Sequence, residues 1–216
     1  MKKTLCLVLL FTIFASTCYA QTADNAAQDL AKYEIMSGFP DGTFRLDDNV
    51  TRAQTVKMIM TTLGKTDFKG PGGLFSDVLK QHWAKDYIEG AIIEGVIDGF
   101  PDGTFRPEDN VTKYQAIKMV ICMLGYDKPQ LDFRELEYPK DYLDMAIDCG
   151  LITTEEIGNQ DAISSRGFLA QLISKALDMP ITVVAFGGSR PEYVLMNGLY
   201  GRPLKTLRMA LEQENY

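Results

Sequence analysis

The sequence is poor in the residues that build metal and redox sites: one histidine, His82, and four cysteines in 216 residues. So few imidazole and thiolate donors argue against a zinc site. Positive charge is in deficit too. Lysine and arginine number 22 against 29 aspartates and glutamates, a formal charge of −7. Nucleic-acid partners call for clustered cations, so this balance argues against them. No nucleophile stands beside a base, no glycine loop suits a phosphate, and no isolated carboxylate pair suggests glycoside hydrolysis. The expectation is a protein that is not an enzyme and needs no cofactor.

What is present begins with a leader. Lys2 and Lys3 precede an apolar run from Leu5 to Phe14, and Cys18-Tyr19-Ala20 offers small residues at the first and third places before a cut. This is the pattern of a secretory signal peptide over residues 1–20, cleaved before Gln21. The run is too short to span a bilayer. Acylation of Cys18 is disfavoured, because Ala15 stands where a leucine-like residue is usual. Without the leader the chain has 20 basic against 29 acidic residues, a charge of −9, and keeps only Cys122 and Cys149. Both fall among apolar neighbours, where a thiol behaves as a small hydrophobe; export also permits a disulfide, and free thiols are the expectation.

The remainder, 46% hydrophobic and 24% charged over the whole chain, reads as globular. Its organising feature is a repeat. Gly99–Gly125 (GFPDGTFRPEDNVTKYQAIKMVICMLG) matches Gly38–Gly64 at 17 of 27 positions with an offset of 61. Units this small bury their apolar faces only against neighbours, and about three are the usual minimum.

Within the first unit (residues 21–65), Asp24–Tyr33 has helical spacing, and Phe39-Pro40-Asp41-Gly42 makes a turn expected to send Phe39 and Phe44 inward. Thr51-Arg52-Ala53-Gln54 has capping-box spacing, and Val56, Ile59, Met60 and Leu63 form the buried stripe that stops at Gly64. A glycine-rich linker, Lys65–Leu74, leads to the second unit (74–126), where a helix from Trp83 precedes the second copy. A divergent third unit (137–180) aligns Tyr138 with Trp83 and Ser165-Arg166-Gly167-Phe168 with Thr51–Gln54, its loop shortened by two residues. Residues 181–216 form an appendage: a β-branched run, a turn at Gly187-Gly188-Ser189, and a helix-like end.

FSDVLKQHWA (Phe75–Ala84), Gly95–Lys113 and Gly38–Gln54 resemble the S-layer homology family, which attaches exported proteins non-covalently to bacterial cell walls; with the third unit the resemblance covers Asp24–Pro180. It implies a mainly α fold of three helix-loop-helix units in a pseudo-threefold, three-pronged module at the cell surface. It also implies an anionic secondary cell-wall polysaccharide, often pyruvylated, held in grooves between prongs by the basic residue of a Thr-Arg-Ala-Glu motif. Carried onto this chain, those residues are Arg52, Lys113 and Arg166. A structural envelope protein acting by self-assembly, or by contact with other envelope proteins, is the alternative.

Each of the three basic residues opens a helix, where unpaired backbone N–H groups favour an anion; the plain alternative is an ordinary exposed side chain. Trp83 suits stacking on a sugar, or packing under its own helix. Lys113, Tyr114, Gly167, Phe168, and Thr22 in place of the tryptophan depart from the family pattern, so one or two competent grooves are expected. The Asp-Gly turns do not make calcium loops: Ser37 and Phe39, then Asp98 and Phe100, occupy the places where carboxylate or amide ligands belong. Asp47, Asp48, Glu108 and Asp109 read as solvated loop charges.

Overall fold

The computed structural model describes residues 22–127, 136–186, 191–195 and 206–214. The leader and the Gly187–Ser189 turn lie outside the described residues. Eight helices are present among them: α1 (Ala23–Ala31), α2 (Arg52–Thr62), α3 (Lys85–Ile93), α4 (Lys113–Met123), α5 (Lys140–Asp148), the single-turn α6 (Thr154–Ile157), α7 (Arg166–Leu177) and α8 (Leu207–Glu214). A two-stranded antiparallel hairpin, β1 (Thr182–Phe186) and β2 (Pro191–Leu195), precedes α8. The protein is mainly α-helical.

Three helices form the centre. α2, α4 and α7 touch one another, and each packs on one outer helix: α2 on α3, α4 on α5, α7 on α1. The second helix of each unit thus pairs with the first helix of the next, and the last unit closes back on the first. Central position explains the sequence of α2, which is apolar or small nearly all round and buries Ala53, Val56, Met58, Ile59 and Met60. Its buried hydroxyls are satisfied within the helix: Thr55 donates to the Thr51 carbonyl at 2.9 Å and Thr62 to that of Met58 at 2.8 Å. Both capping boxes form, Thr51 with Gln54 and Thr112 with Gln115, and Ser165 caps Phe168.

A ring of backbone hydrogen bonds ties the units at one end. Val50 N–H donates to the Ser164 carbonyl (3.2 Å), Ser164 to that of Val111 (2.8 Å), and Val111 to that of Val50 (3.1 Å), closing a triangle. The side chains of all three residues are buried. This triangle is the pseudo-threefold axis written in hydrogen bonds.

Three details differ from the sequence reading. The shortened third loop contains α6, whose Thr153–Glu156 capping box has the same spacing as the others. The Lys65–Leu74 segment is laid along α3: Gly70 and Gly72 donate to the carboxylates of Asp86 (3.1 Å) and Glu89 (2.9 Å), and Lys85 donates to the Gly70 carbonyl (2.8 Å). Third, only one phenylalanine of each turn joins the core. Phe105 is fully buried and Phe44 packs against the core, whereas Phe39 and Phe100 lie half-buried beneath guanidinium groups. Both cysteines are free thiols.

Candidate functional site

The three basic residues occupy equivalent places between units. Arg52 Nε donates to the Phe105 carbonyl (3.0 Å) and Nη2 to that of Asp98 (3.3 Å). Arg166 makes the same pair, Nε to Phe44 (3.0 Å) and Nη2 to Ser37 (3.3 Å), and the acceptors are displaced by 61 residues in each case. Lys113, with one terminal nitrogen, reaches the single carbonyl of Ile157. Each cation therefore leaves its own unit and grips the loop of the next.

These side chains are not ordinary exposed first-turn residues. Arg52 is only 6% exposed, Arg166 is half-buried, and burial pulls both guanidinium groups below their usual pKa while leaving them cationic. Their planes find aromatic faces: Arg52 lies over Phe100 (4.9 Å) and Phe105 (4.7 Å), Arg166 over Phe39 (5.0 Å), and Lys113 over Phe168 (4.9 Å).

The helix N-termini behave differently from the expectation. The N–H groups of Arg52 and Ala53 donate to the carbonyls of Asp109 (2.9 Å) and Pro107 (3.0 Å). Those of Lys113 and Tyr114 donate to Ala162 (2.9 Å) and Gln160 (3.3 Å), those of Arg166 and Gly167 to Asp48 and Leu46 (both 2.8 Å). The third N–H of each helix is taken by its cap. No orphan donors are left there for an anion. The reason is physical: a buried helix start must satisfy its N–H groups, and the neighbouring loop supplies the carbonyls.

Each cation sits where two units meet, and repeat equivalence assigns matching positions to the three crevices there. In the first, Arg166 and Ser37 are matched with Lys57 on α2, Trp83 just before α3 and Tyr87 within it; in the second, Arg52 and Asp98 with Lys118 on α4, Tyr138 just before α5 and Tyr142 within it. In the third, Lys113 is matched with Gln171 on α7, Thr22 just before α1 and Ala26 within it, and neither of the last two offers a ring.

In the second crevice the Asp98 carboxylate pairs with Lys118 at 3.2 Å, and the Lys118 ammonium lies 5.6 and 5.3 Å from the ring centres of Tyr138 and Tyr142. Burial pushes both phenols up, Tyr142 to about 12, so they stay neutral hydrogen-bonding platforms. In the third crevice the Phe168 ring lies 4.9 Å from the Lys113 ammonium and lines, with Leu151, Ile152, Gln171 and Leu172, a pocket flanked by a Lys175–Glu156 ion pair (2.7 Å). Thr22 there serves as the cap of α1.

Trp83 is 54% exposed and stacks on His82 (5.8 Å, 27°), so it is not packed under its helix. His82 is itself fixed by the Ala84 N–H at Nδ1 and by Glu108 at Nε2. Among the described residues no group of three or more histidines, cysteines or carboxylates could hold a metal ion. None of the described helices is long and apolar enough to cross a membrane.

Lys57, Lys118, Tyr142 and Asp98 were not singled out as site residues in the sequence. Their signal is the repeat itself: Lys57 and Lys118, like Ser37 and Asp98, stand 61 apart, and Tyr87 and Tyr142 stand 55 apart.

The fold and crevices define a class: a closed ring of three helical hairpins with a cation under each interface. The S-layer homology domain matches residues 16–56 and 74–117. The chain thus carries S-layer homology units at these two places, in common with proteins of the exported cell envelope; the third unit lies outside the matched residues. It is 32% identical over 161 residues to a cell surface protein of Thermoanaerobacter kivui, covering 73% of this chain and 20% of that protein. A cellulosome-anchoring protein of Acetivibrio thermocellus is 32% identical over 98 residues, 44% of this chain and 22% of that one. Outer membrane protein SlpA of Thermus thermophilus is 50% identical over 57 residues, 26% and 6% respectively. The chain thus spans about a fifth or less of these relatives' lengths.

Proposed function

We propose that this protein attaches non-covalently to the bacterial cell wall by holding an anionic wall polysaccharide, with a pyruvylated sugar as its acidic group, in the crevices between its units. The chemistry is binding rather than catalysis. The feature that supports the reading is the pairing of cations with two rings at the start of the outer helix, seen at Lys118 with Tyr138 and Tyr142 and matched by repeat equivalence at Lys57 with Trp83 and Tyr87. A ring face suits the C–H face of a pyranose, and a guanidinium fork or ammonium suits a carboxylate.

The overall charge opposes rather than assists. A chain of formal charge −7 repels an acidic polymer at long range, so recognition rests on groups within the crevice. The names of the relatives, a cell surface protein and a cellulosome-anchoring protein, agree with an anchoring role.

The test is calorimetric titration with purified wall polysaccharide before and after its carboxylates are converted to amides. The expected result is binding to the native polymer that weakens at least tenfold on amidation. Equal affinity for the two forms contradicts the proposal.

A further inference from the structure

Three Asp-Gly pairs occur in the sequence, Asp41-Gly42, Asp98-Gly99 and Asp102-Gly103, and the fold gives their carboxylates two different surroundings. An aspartate followed by glycine is prone to cyclise, because no side chain on the glycine keeps its nitrogen from the carboxyl carbon. The nitrogen bonds to Cγ, the N–H proton and the carboxyl hydroxyl leave as water, and a five-membered succinimide results. Water reopens the ring at either carbonyl. One product is aspartate again; the other is isoaspartate, whose main chain runs through the side-chain carbons. A carboxyl held in its ionised form resists the reaction, and so does a glycine N–H already donated elsewhere.

Asp41 and Asp102 are restrained on both counts. Oδ1 of each accepts from the N–H (3.0 Å) and the hydroxyl (2.7 and 2.6 Å) of Thr43 or Thr104, and Oδ2 accepts from Nη2 of Arg45 (2.9 Å) or Arg106 (2.8 Å). Each arginine is held in turn over a ring, Phe39 or Phe100, at 4.0 Å. Such donors favour the ionised form. With the threonine hydroxyl as the largest cause, they bring both carboxyls from 3.8 to about 2. Near neutrality that cuts the reactive protonated form by more than about tenfold. The glycine nitrogens are engaged as well: Gly42 donates to the Phe39 carbonyl (2.9 Å) and Gly103 to that of Phe100 (3.0 Å).

Asp98-Gly99 carries neither restraint. The Asp98 side chain is 81% exposed, and its one carboxylate partner among the described residues is Lys118 at 3.2 Å, an exposed ion pair of the weak kind. No acceptor among the described residues takes the Gly99 N–H. Packing nonetheless demands the glycine, since a β-carbon there would lie 2.1 Å from the Phe75 ring. We propose that Asp98 is a site of spontaneous isomerisation, closing on Gly99 to a succinimide and reopening in part as isoaspartate, while the Thr-Arg clamps keep Asp41 and Asp102 intact.

The product moves a charge. Its free carboxylate is the former backbone carbonyl of Asp98, the group that accepts Arg52 Nη2 at 3.3 Å, and the carboxyl that paired with Lys118 becomes an amide carbonyl. Ageing at this residue thus lengthens the loop that Arg52 grips and takes the counter-ion from Lys118.

The experiment ages the full chain at neutral pH below its melting temperature, with a parallel sample unfolded in urea. Isoaspartate is quantified at each position by electron-transfer fragmentation of the digested peptides. Site resolution also separates Asn197-Gly198, which lies outside the described residues and reaches isoaspartate by losing ammonia. In the folded chain isoaspartate should build up about tenfold faster or more at Asp98 than at Asp41 or Asp102, and in urea the three rates should converge. Thr104→Val combined with Arg106→Ala should raise the Asp102 rate by a similar factor and leave Asp41, in the same molecules, unchanged. Equal rates at the three positions of the folded chain, a ranking that persists in urea, or an Asp102 rate that the double variant does not raise overturns the proposal.

Discussion

Arg52 and Phe105 belong to different units, yet the guanidinium of one donates to the backbone carbonyl of the other at 3.0 Å and lies over its ring at 4.7 Å. Arg166 and Phe44 repeat the hydrogen bond at the same distance. A residue type carried over as a ligand contact is thus also a brace between units.

Arg52→Ala removes two charge-assisted hydrogen bonds from a buried site and leaves two carbonyls short of a donor. The expected loss is about 2–3 kcal/mol of unfolding free energy, read by urea denaturation. Arg52→Lys should fall between, because an ammonium cannot span both acceptors. Replacing all three cations together would therefore test folding before it tests binding.

Arg208, on α8, closes the ring from outside. It donates to Asp29 on α1 (2.8 and 3.1 Å), to Tyr33 (3.2 Å) and to Asp178 after α7 (2.6 and 2.9 Å). Burial alone would raise the Asp29 carboxyl, but hydrogen bonds from Arg208 and Ser174 hold it below the usual range. With Asp29 and Arg208 at 14% and 22% exposure, the pair lies between surface and core. Arg208→Ala should cost about 2 kcal/mol and lower the melting temperature by about 4–8 °C in a scanning experiment. An unchanged melting temperature would show the appendage to be decoration.

The Asp-Gly turns carry an acid-sensitive element. Asp41 accepts from the Thr43 hydroxyl and N–H and pairs with Arg45, and Asp102 does the same with Thr104 and Arg106. These hydrogen bonds, the threonine hydroxyl first, bring each carboxyl down to about 2. Because the folded values lie below the ordinary value of 3.8, the turns' contribution is fully present above about pH 4 and is lost as pH falls toward 2. Carboxyl NMR titrations should place both midpoints near 2. Thr104→Val should move that of Asp102 up toward the ordinary value.

Gly167 stands where the other units have Ala53 and Tyr114, and the structure gives a reason. A β-carbon there would meet the Leu46 carbonyl oxygen at 3.1 Å and Ala23 at 3.2 Å, and that carbonyl is already fixed by the Gly167 N–H. Gly167→Ala, which in an open helix stabilises by about 1 kcal/mol, should here be net destabilising by a similar amount, as chemical denaturation would reveal.

Much of the fold was legible because the repeat is nearly literal. Thr51 and Thr112 announce their helices, and the stripes Val56–Leu63 and Ile117–Leu124 give the central faces. What local pattern could not convey is the pairing of units. Helix starts read in isolation have orphan N–H groups, and only the closed ring shows Asp48, Asp109 and Ala162 supplying their carbonyls. The same holds for the crevices. Asp98 enters the sequence reading only through the calcium-loop spacing, and Phe168 only as a departure from the family pattern; the structure brings Lys118 to 3.2 Å from the one and Lys113 over the ring of the other.

The most direct test is a pull-down of the protein, lacking residues 1–20, on purified wall sacculi, intact and after acid treatment that strips the polysaccharide. The account predicts retention on intact sacculi and release into the supernatant when the polymer is gone. Equal retention on stripped sacculi would contradict it.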